Sequence, residues 1–319
     1  MYKGKRYRLN VDRKPTKAEA ERMIWALIEK EPEKGIYMTF ADAAKKYIED
    51  NKELWSPATL RVYQYQFKQL PDTITEKPIS ALTDEYLQGY INKFSVNHKP
   101  TTVKNSIVLI KSVIRSVKGK KTSFDITIPS KQKPDFYVPE DSDVKTVLEH
   151  IKGTRYEIPI WLGVFGLRRS EACALLRSDL SEDNIITVNK AKVRAPGKQW
   201  VIKSPKTIDS VRLVQISDYV ADLIRNLPQD EVYSGSPTVL SQYLVNLEEK
   251  LGIEHFSFHK LRHYFASTAR EVMGDAYVEK MGGWTKGSQM MKKVYDYTKQ
   301  KQEREMQQEY SDKIHRLFG

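Results

Sequence analysis

A single cysteine, Cys173, occurs in 319 residues. No intrachain disulfide can form, which fits a reducing compartment and leads us to expect a cytoplasmic protein. Cys173 sits in an apolar helical stretch, where a small packing residue is a better reading than a nucleophilic thiol. No apolar run approaches the roughly 20 residues of a membrane span. The basic start, Met1 to Leu9, lacks the apolar centre of a secretory signal. Also missing are a glycine-rich phosphate loop, a Cys/His cluster with metal-ligand spacing, an internal repeat and a low-complexity segment. These absences argue against loop-type nucleotide hydrolases, zinc proteins, disulfide-stapled secreted domains and membrane proteins.

What is present is positive charge. Hydrophobic residues make up 40% and charged residues 29%, as in a globular protein, but the net charge is +12. Residues 1–137 hold 26 Lys and Arg against 16 Asp and Glu, whereas residues 138–319 hold 27 against 25. A basic protein with its excess on one side points to a polyanionic partner, most simply nucleic acid.

Periodicity and capping signals divide the chain. Residues 1–37 read as a short strand, Lys5 to Asn10, then a helix opened by Pro15 and Thr16. Residues 38–118 read as a small helical domain. Thr39, Ser56-Pro57, Thr83 and Pro100 mark its helix starts, and Lys93, Lys99, Lys104, Lys111 and Arg115 are candidates for a phosphate-facing surface. Residues 119–137 form a basic linker with Lys120, Lys121, Lys131 and Lys133. Residues 138–298 mix helices with three strand-like runs, at 185–189, 199–203 and 211–216, and residues 299–319 form an amphipathic helical tail. The expected class is mainly α with a small antiparallel sheet of three strands.

Five segments carry residues that one phosphoryl-transfer site would need. Arg168 follows Gly166-Leu167, and Glu171 stands one helical turn on, able to hold it. Lys206 lies in Ser204-Pro205-Lys206-Thr207, with Lys203 as a rival. His259 and Arg262 share a helix face at i and i+3, walled by Phe256, Phe258, Leu261 and Phe265. His263 is assigned no chemistry. Trp284 follows Gly282-Gly283, and Tyr295 follows Val294, with Tyr297 two positions later. Guanidinium forks clamp a phosphodiester, histidine and lysine move protons, and a tyrosine can attack phosphorus.

That order and spacing resembles the tyrosine recombinases, the integrases of phages and conjugative elements, over roughly residues 38 to 300. The resemblance implies a helical core-binding domain and a catalytic domain closing on duplex DNA as a C-shaped clamp. It implies Arg168 and Arg262 as the phosphate clamp, Lys206 as general acid for the leaving 5′ oxygen, Trp284 in a place often held by histidine, and Tyr295 as nucleophile. Residues 1–37 resemble the end of an arm-site binding module or a linker helix. Also implied are a homotetramer on two DNA sites that is monomeric or weakly associated when free, tails that dock on neighbouring protomers, and accessory DNA-bending or directionality factors. The covalent link keeps the bond energy, so neither ATP nor a metal is needed. Type IB topoisomerases share this chemistry, and a non-catalytic DNA-binding regulator could share the fold.

The charge asymmetry makes a first prediction. Counterion release lowers log K with log salt by about 0.9 per phosphate neutralised. A fragment of residues 138–319 should bind a duplex more weakly than the full chain and with a shallower slope. Equal slopes in a salt titration of both would mean that the charge of residues 1–137 does not face DNA.

Overall fold

The structure, a computed structural model, describes residues 15–30, 38–130, 137–204 and 211–318. For Ala18, residues 25–30, Tyr295, residues 298–302, Arg304 and Glu305 it describes the backbone only. The expected strand Lys5 to Asn10, Lys131, Lys133 and Lys206 lie outside the described residues. The chain divides into two compact units, Met1–Gln132 and Lys133–Gly319.

The first unit is helical. It comprises α1 (Lys17–Lys30), α2 (Phe40–Asn51), α3 (Pro57–Lys68), α4 (Asp72–Thr75), α5 (Asp84–Ser95) and α6 (Pro100–Lys118). Short polar side chains start α1, α2, α3 and α5 by accepting from otherwise unpaired N–H groups. Thr39 accepts from the Asp42 N–H at 3.2 Å, Ser56 from Thr59 at 3.2 Å and Thr83 from Tyr86 at 3.2 Å. Thr16 and Glu19 cap α1 reciprocally. The buried stripe of α6, Val103, Ile107, Ile110 and Ile114, meets Phe40 and Ala44 of α2, Ile74 of α4, and Leu87 and Ile91 of α5 in one core.

The first part of the expected linker is held on this unit. Gln88 exchanges two hydrogen bonds with the Thr127 backbone, and the Asp84 carboxylate accepts from the Asp125 N–H at 2.9 Å. Lys111 and Arg115 lie over the Phe124 ring at 5.2 and 5.1 Å, and Arg115 also donates to the Thr122 carbonyl. Lys93, Lys99, Lys104, Lys120 and Lys121 are exposed.

The second unit contains α7 (Asp141–His150), α8 (Glu157–Val164), α9 (Arg169–Ala172), β1 (Ile185–Val188), β2 (Ala191–Arg194), β3 (Trp200–Lys203) and β4 (Arg212–Gln215). Five helices follow: α10 (Asp218–Arg225), α11 (Pro237–Leu251), α12 (Phe258–Val272), α13 (Asp275–Gly282) and α14 (Gln289–Phe318). The apolar α8 is buried against α12, and a Cβ at Gly163 would meet the Phe258 ring at 2.8 Å, so glycine permits the close approach. Ile160, Leu162, Val147, Ile186, Val214, Ile224, Leu240 and Leu261 share the main core.

The expected single sheet of three strands is instead two antiparallel pairs, β1 with β4 and β2 with β3. The unforeseen strand is β2, whose Ala-Lys-Val-Arg sequence has no clear alternation and gains order by pairing with β3, Val193 opposite Val201. In β4 the inward residues are Arg212 and Val214, while Leu213 is 62% exposed. The tail is not separate, because residues 299–318 continue α14.

Candidate active site

A turn of positive φ delivers Arg168. After α8 the chain passes through Gly166 at φ 87°, where a Cβ would stand 2.6 Å from the Phe265 ring. Only glycine meets both demands. Arg168 is then the extended N-cap residue of α9, and the Glu171 carboxylate accepts from its backbone N–H at 2.7 Å. The Arg168 Nη1 donates to Glu171 Oε1 at 2.7 Å, and Nη2 to the Gly283 carbonyl at 2.8 Å. The side chain stays 37% exposed, so part of its fork is open to a ligand. Arg169 points elsewhere and donates to the Ser241 hydroxyl.

Arg262 approaches the same turn from α12. The residue is 1% exposed, and its neighbours in sequence Phe258, Leu261 and Phe265 are buried as well. It donates to the carbonyls of Gly166 and Gly282, and its guanidinium carbon lies 4.0 Å from the centroid of the Trp284 ring. Trp284 also stacks on Phe265, ring centroids 6.5 Å apart. The turn that carries Trp284 requires two glycines. A Cβ at Gly282 would lie 2.1 Å from the Trp284 ring, and Gly283 has φ 61°. Trp284 N–H closes the motif by donating to the Glu279 carbonyl at 2.8 Å, a left-handed helix stop.

A third arginine, unforeseen from the sequence, completes the cluster. Arg212 of β4 is buried and donates through Nη2 to Glu171 Oε2 at 2.7 Å and through Nη1 to Oε1 at 3.2 Å. Its Nε donates to the Met281 carbonyl at 2.6 Å. The signal available was the alternation Arg212, Val214, Ile216, which puts the arginine on the apolar face of its strand.

Two guanidiniums, of Arg168 and Arg212, therefore share the Glu171 carboxylate, and Arg262 meets the same turns through the Gly166 and Gly282 carbonyls. Burial alone would raise the Glu171 pKa, but hydrogen bonds and charge from Arg212, with the charge of Arg168, pull it down to about 2. Burial first, then Arg168 and Arg212, push Arg262 down to about 8. A guanidinium keeps its proton in proteins, so that direction expresses charge short of a counter-anion.

His259 lies one turn before Arg262 and is exposed, edge-on to His263 with centroids 5.0 Å apart. Lost hydration on its packed side, then Arg262, Arg168 and Lys260, lower its pKa, which favours a neutral imidazole able to accept a proton. His263 is buried, and burial chiefly holds its pKa down at about 3. Lys203 closes β3 opposite Ala191.

Tyr295 falls in the second turn of α14; its side chain lies outside the described residues. The flanking Met291 and Val294 are buried with Phe265, Ala266 and Val278, which fixes this part of α14 on α12 and α13. The Glu279 carboxylate accepts from the Ser288 N–H at 2.9 Å, tying the helix start to α13, a second contact that sequence reading missed. The Tyr297 hydroxyl donates to the Val138 carbonyl at 3.3 Å.

The Glu171 shift makes a stability prediction. A carboxyl whose folded pKa is depressed from 4.5 to about 2 stabilises the fold above its unfolded pKa, and that contribution is lost as pH falls through the folded pKa. Glu171→Gln should cost about 3 kcal/mol near pH 7. The difference from wild type should shrink between pH 5 and about pH 2, read by denaturant unfolding. A difference that did not vary with pH would remove Glu171 as the ionised centre of the cluster.

Comparison with known proteins bears on this arrangement. The profile of the phage integrase family matches residues 144–304, and that of the phage integrase N-terminal SAM-like domain matches residues 39–95. No curated protein sequence matches the chain. The integrase of transposon Tn1549 in complex with transposon right end DNA is similar at TM-score 0.63 and 17% identity, over 84% of this chain and 99% of that one. A lambda integrase dimer bound to a COC′ core site gives 0.63 at 14% identity, over 87% and 85%. A lambda integrase tetramer bound to a Holliday junction gives 0.57 at 13% identity, over 91% and 89%. These likenesses speak to the fold. The first profile alone spans just over half of the sequence, so the chain belongs to the phage integrase family and is a site-specific DNA recombinase of the tyrosine recombinase class.

Proposed function

We propose that this recombinase integrates or excises a mobile element by cutting and rejoining duplex DNA through a 3′-phosphotyrosyl intermediate formed on Tyr295. The observation that carries the reading is the set of three guanidiniums held at the Gly166 turn and the end of α13, where one carboxylate, Glu171, pairs with two of them, which leaves positive charge beside the partly open Arg168 fork. A phosphodiester supplies the missing anion, and its charge grows as the phosphorane forms, so fixed donors favour the transition state most.

In the cleavage step the Tyr295 oxygen bonds to phosphorus and the bond to the 5′ oxygen breaks. His259 takes the phenolic proton or steadies the phosphorane, and its lowered pKa suits the first role. Lys206 gives a proton to the leaving 5′ oxygen. Arg168 and Arg262 hold the non-bridging oxygens. Trp284, whose ring lies against Arg262, keeps that guanidinium in plane and offers an indole donor. Rejoining runs the step backwards with the 5′-hydroxyl of a partner strand, and the phenol regains its proton. The engagement of the Tyr297 hydroxyl with Val138 supports Tyr295 as the nucleophile.

The proposed assembly is a tetramer on two DNA sites in the cytoplasm of a bacterial host, with the units closing on DNA as a clamp. Met306, Tyr310, Ile314 and Leu317 of α14 are 69, 67, 37 and 62% exposed at helical spacing, which supports a tail that docks on a neighbouring protomer. Lys93, Lys99, Lys104, Lys120 and Lys121 remain proposed phosphate contacts. Lys111 and Arg115 pack on Phe124, so their part includes holding residues 119–128 in place.

A nicked suicide duplex tests the chemistry. Wild type should form a covalent adduct, Tyr295→Phe none, and Tyr297→Phe an adduct. Arg168→Lys should cleave about 10²-fold more slowly with site affinity changed far less, by analogy with lost oxyanion donors. Adducts that persist in Tyr295→Phe and vanish in Tyr297→Phe would reverse the assignment. Adducts without strand exchange would indicate topoisomerase-like action, and no adduct in wild type would leave a DNA-binding regulator.

A further inference from the structure

We propose that Arg212 is a positioning residue of the strand-cleavage reaction: its single guanidinium fixes the Glu171 carboxylate and the Met281 carbonyl together, and so sets the two turns from which Arg168 and Trp284 face the phosphate. The inference rests on the phosphate-clamp reading of Arg168 and Arg262.

The geometry assigns each donor a task. Nη1 and Nη2 make a bidentate pair with Glu171, at 3.2 and 2.7 Å, and Nε reaches the Met281 carbonyl at 2.6 Å. Glu171 is in turn the group that holds both the backbone N–H and the Nη1 of Arg168, each at 2.7 Å. Met281 stands in the last turn of α13, directly before Gly282, Gly283 and Trp284. One planar fork thus joins β4, α9 and the end of α13, three elements distant in sequence. A Cβ at Gly283 would lie 3.2 Å from Arg212 Cδ, so the turn and the arginine are fitted to each other. The Arg212 side chain is 2% exposed, too deep to touch DNA, so it acts through its partners.

A merely structural buried ion pair would not need this division. A lysine could neutralise Glu171 with one ammonium, but it has no planar fork to grip two carboxylate oxygens and a carbonyl at fixed angles. The charged groups facing Glu171 are Arg168 at the start of its own helix, Arg212 from β4 and Arg262 from α12; α13 adds carbonyls to the cluster. Arg212 lowers the Glu171 pKa more than Arg168 does. Without Arg212, the ion pair with Arg168 is left to oppose the effect of burial on Glu171, and its proton should bind more tightly. A protonated Glu171 would release Arg168 from its ionised partner.

The test compares wild type, Arg212→Lys, Arg212→Met and the double variant Arg212→Met with Glu171→Gln in single-turnover cleavage of a suicide duplex across pH 5 to 9. DNA affinity and thermal unfolding are measured beside it. Arg212→Met should cleave about 10- to 100-fold more slowly, the range typical when outer partners of metal ligands are lost. Its affinity for the duplex should stay within about threefold of wild type, since the lost contact acts on the transition state. The acid limb of its rate profile should move to higher pH than in wild type, and Glu171→Gln on top should abolish that movement. Arg212→Lys should keep the wild-type pH profile yet remain about tenfold slow, by the loss of the fork. It decides the matter if Arg212→Met fails to fold. Wild-type rates in either single variant would overturn the inference, as would a loss in Arg212→Met that is flat in pH and parallel in affinity. Failure of wild type itself to form an adduct would instead overturn the clamp reading.

Discussion

The end of α13 is where the catalytic unit is tied together. A helix leaves its last carbonyls without intrahelical partners, and buried carbonyls must find donors. Here Glu279 and Lys280 carbonyls accept from the backbone of Trp284 and Gly283. The next three, of Met281, Gly282 and Gly283, accept from Arg212, Arg262 and Arg168 in that order. Each arginine comes from a different element, so satisfying one helix end fixes the relative positions of β4, α12 and α9. The negative end of the helix dipole also offsets part of the crowding of three cations. The same contacts that complete the fold therefore aim the charge.

That economy leaves an electrostatic remainder. One carboxylate and several carbonyls do not neutralise three guanidiniums, and the burial of Arg262 keeps water from screening it. A site of this kind is preorganised: its donors are held by carbonyls and Glu171 before any ligand arrives, so little reorganisation accompanies a growing negative charge. Trp284 fits the same logic, because an aromatic face can lie against Arg262 without competing for its hydrogen bonds.

Much of this was legible from residue order, and the gaps have physical causes. Thr39, Ser56 and Thr83 announced helix starts because capping is local chemistry, and each accepts the expected bond. The i,i+3 relation of Arg168 and Glu171 was also local, and the pair forms. Arg212 was hidden because its partners are 41 and 69 residues away. The strand β2 was missed because its order comes from β3, not from its own pattern. The charged heads of Lys111 and Arg115 lie over the Phe124 ring, a contact that charge alone in the sequence did not announce.

The helix that carries Tyr295, the proposed nucleophile, raises a different demand. A tyrosine that attacks phosphorus must be placed by groups other than the arginines, or it would compete with DNA for them. In α14 the anchors are apolar and lie beside the reactive position: Met291 and Val294 are buried against Phe265, Ala266 and Val278. The Ser288 backbone is held by Glu279, on the same helix whose C-terminal carbonyls the arginines cap. α13 thus carries the arginine-bound turn at its C-terminal end and the tether of α14 just before it. A shift of α13 would move that turn and the start of α14 together, and with the proposed role of Tyr295 this would keep the charge and the attacking oxygen in step.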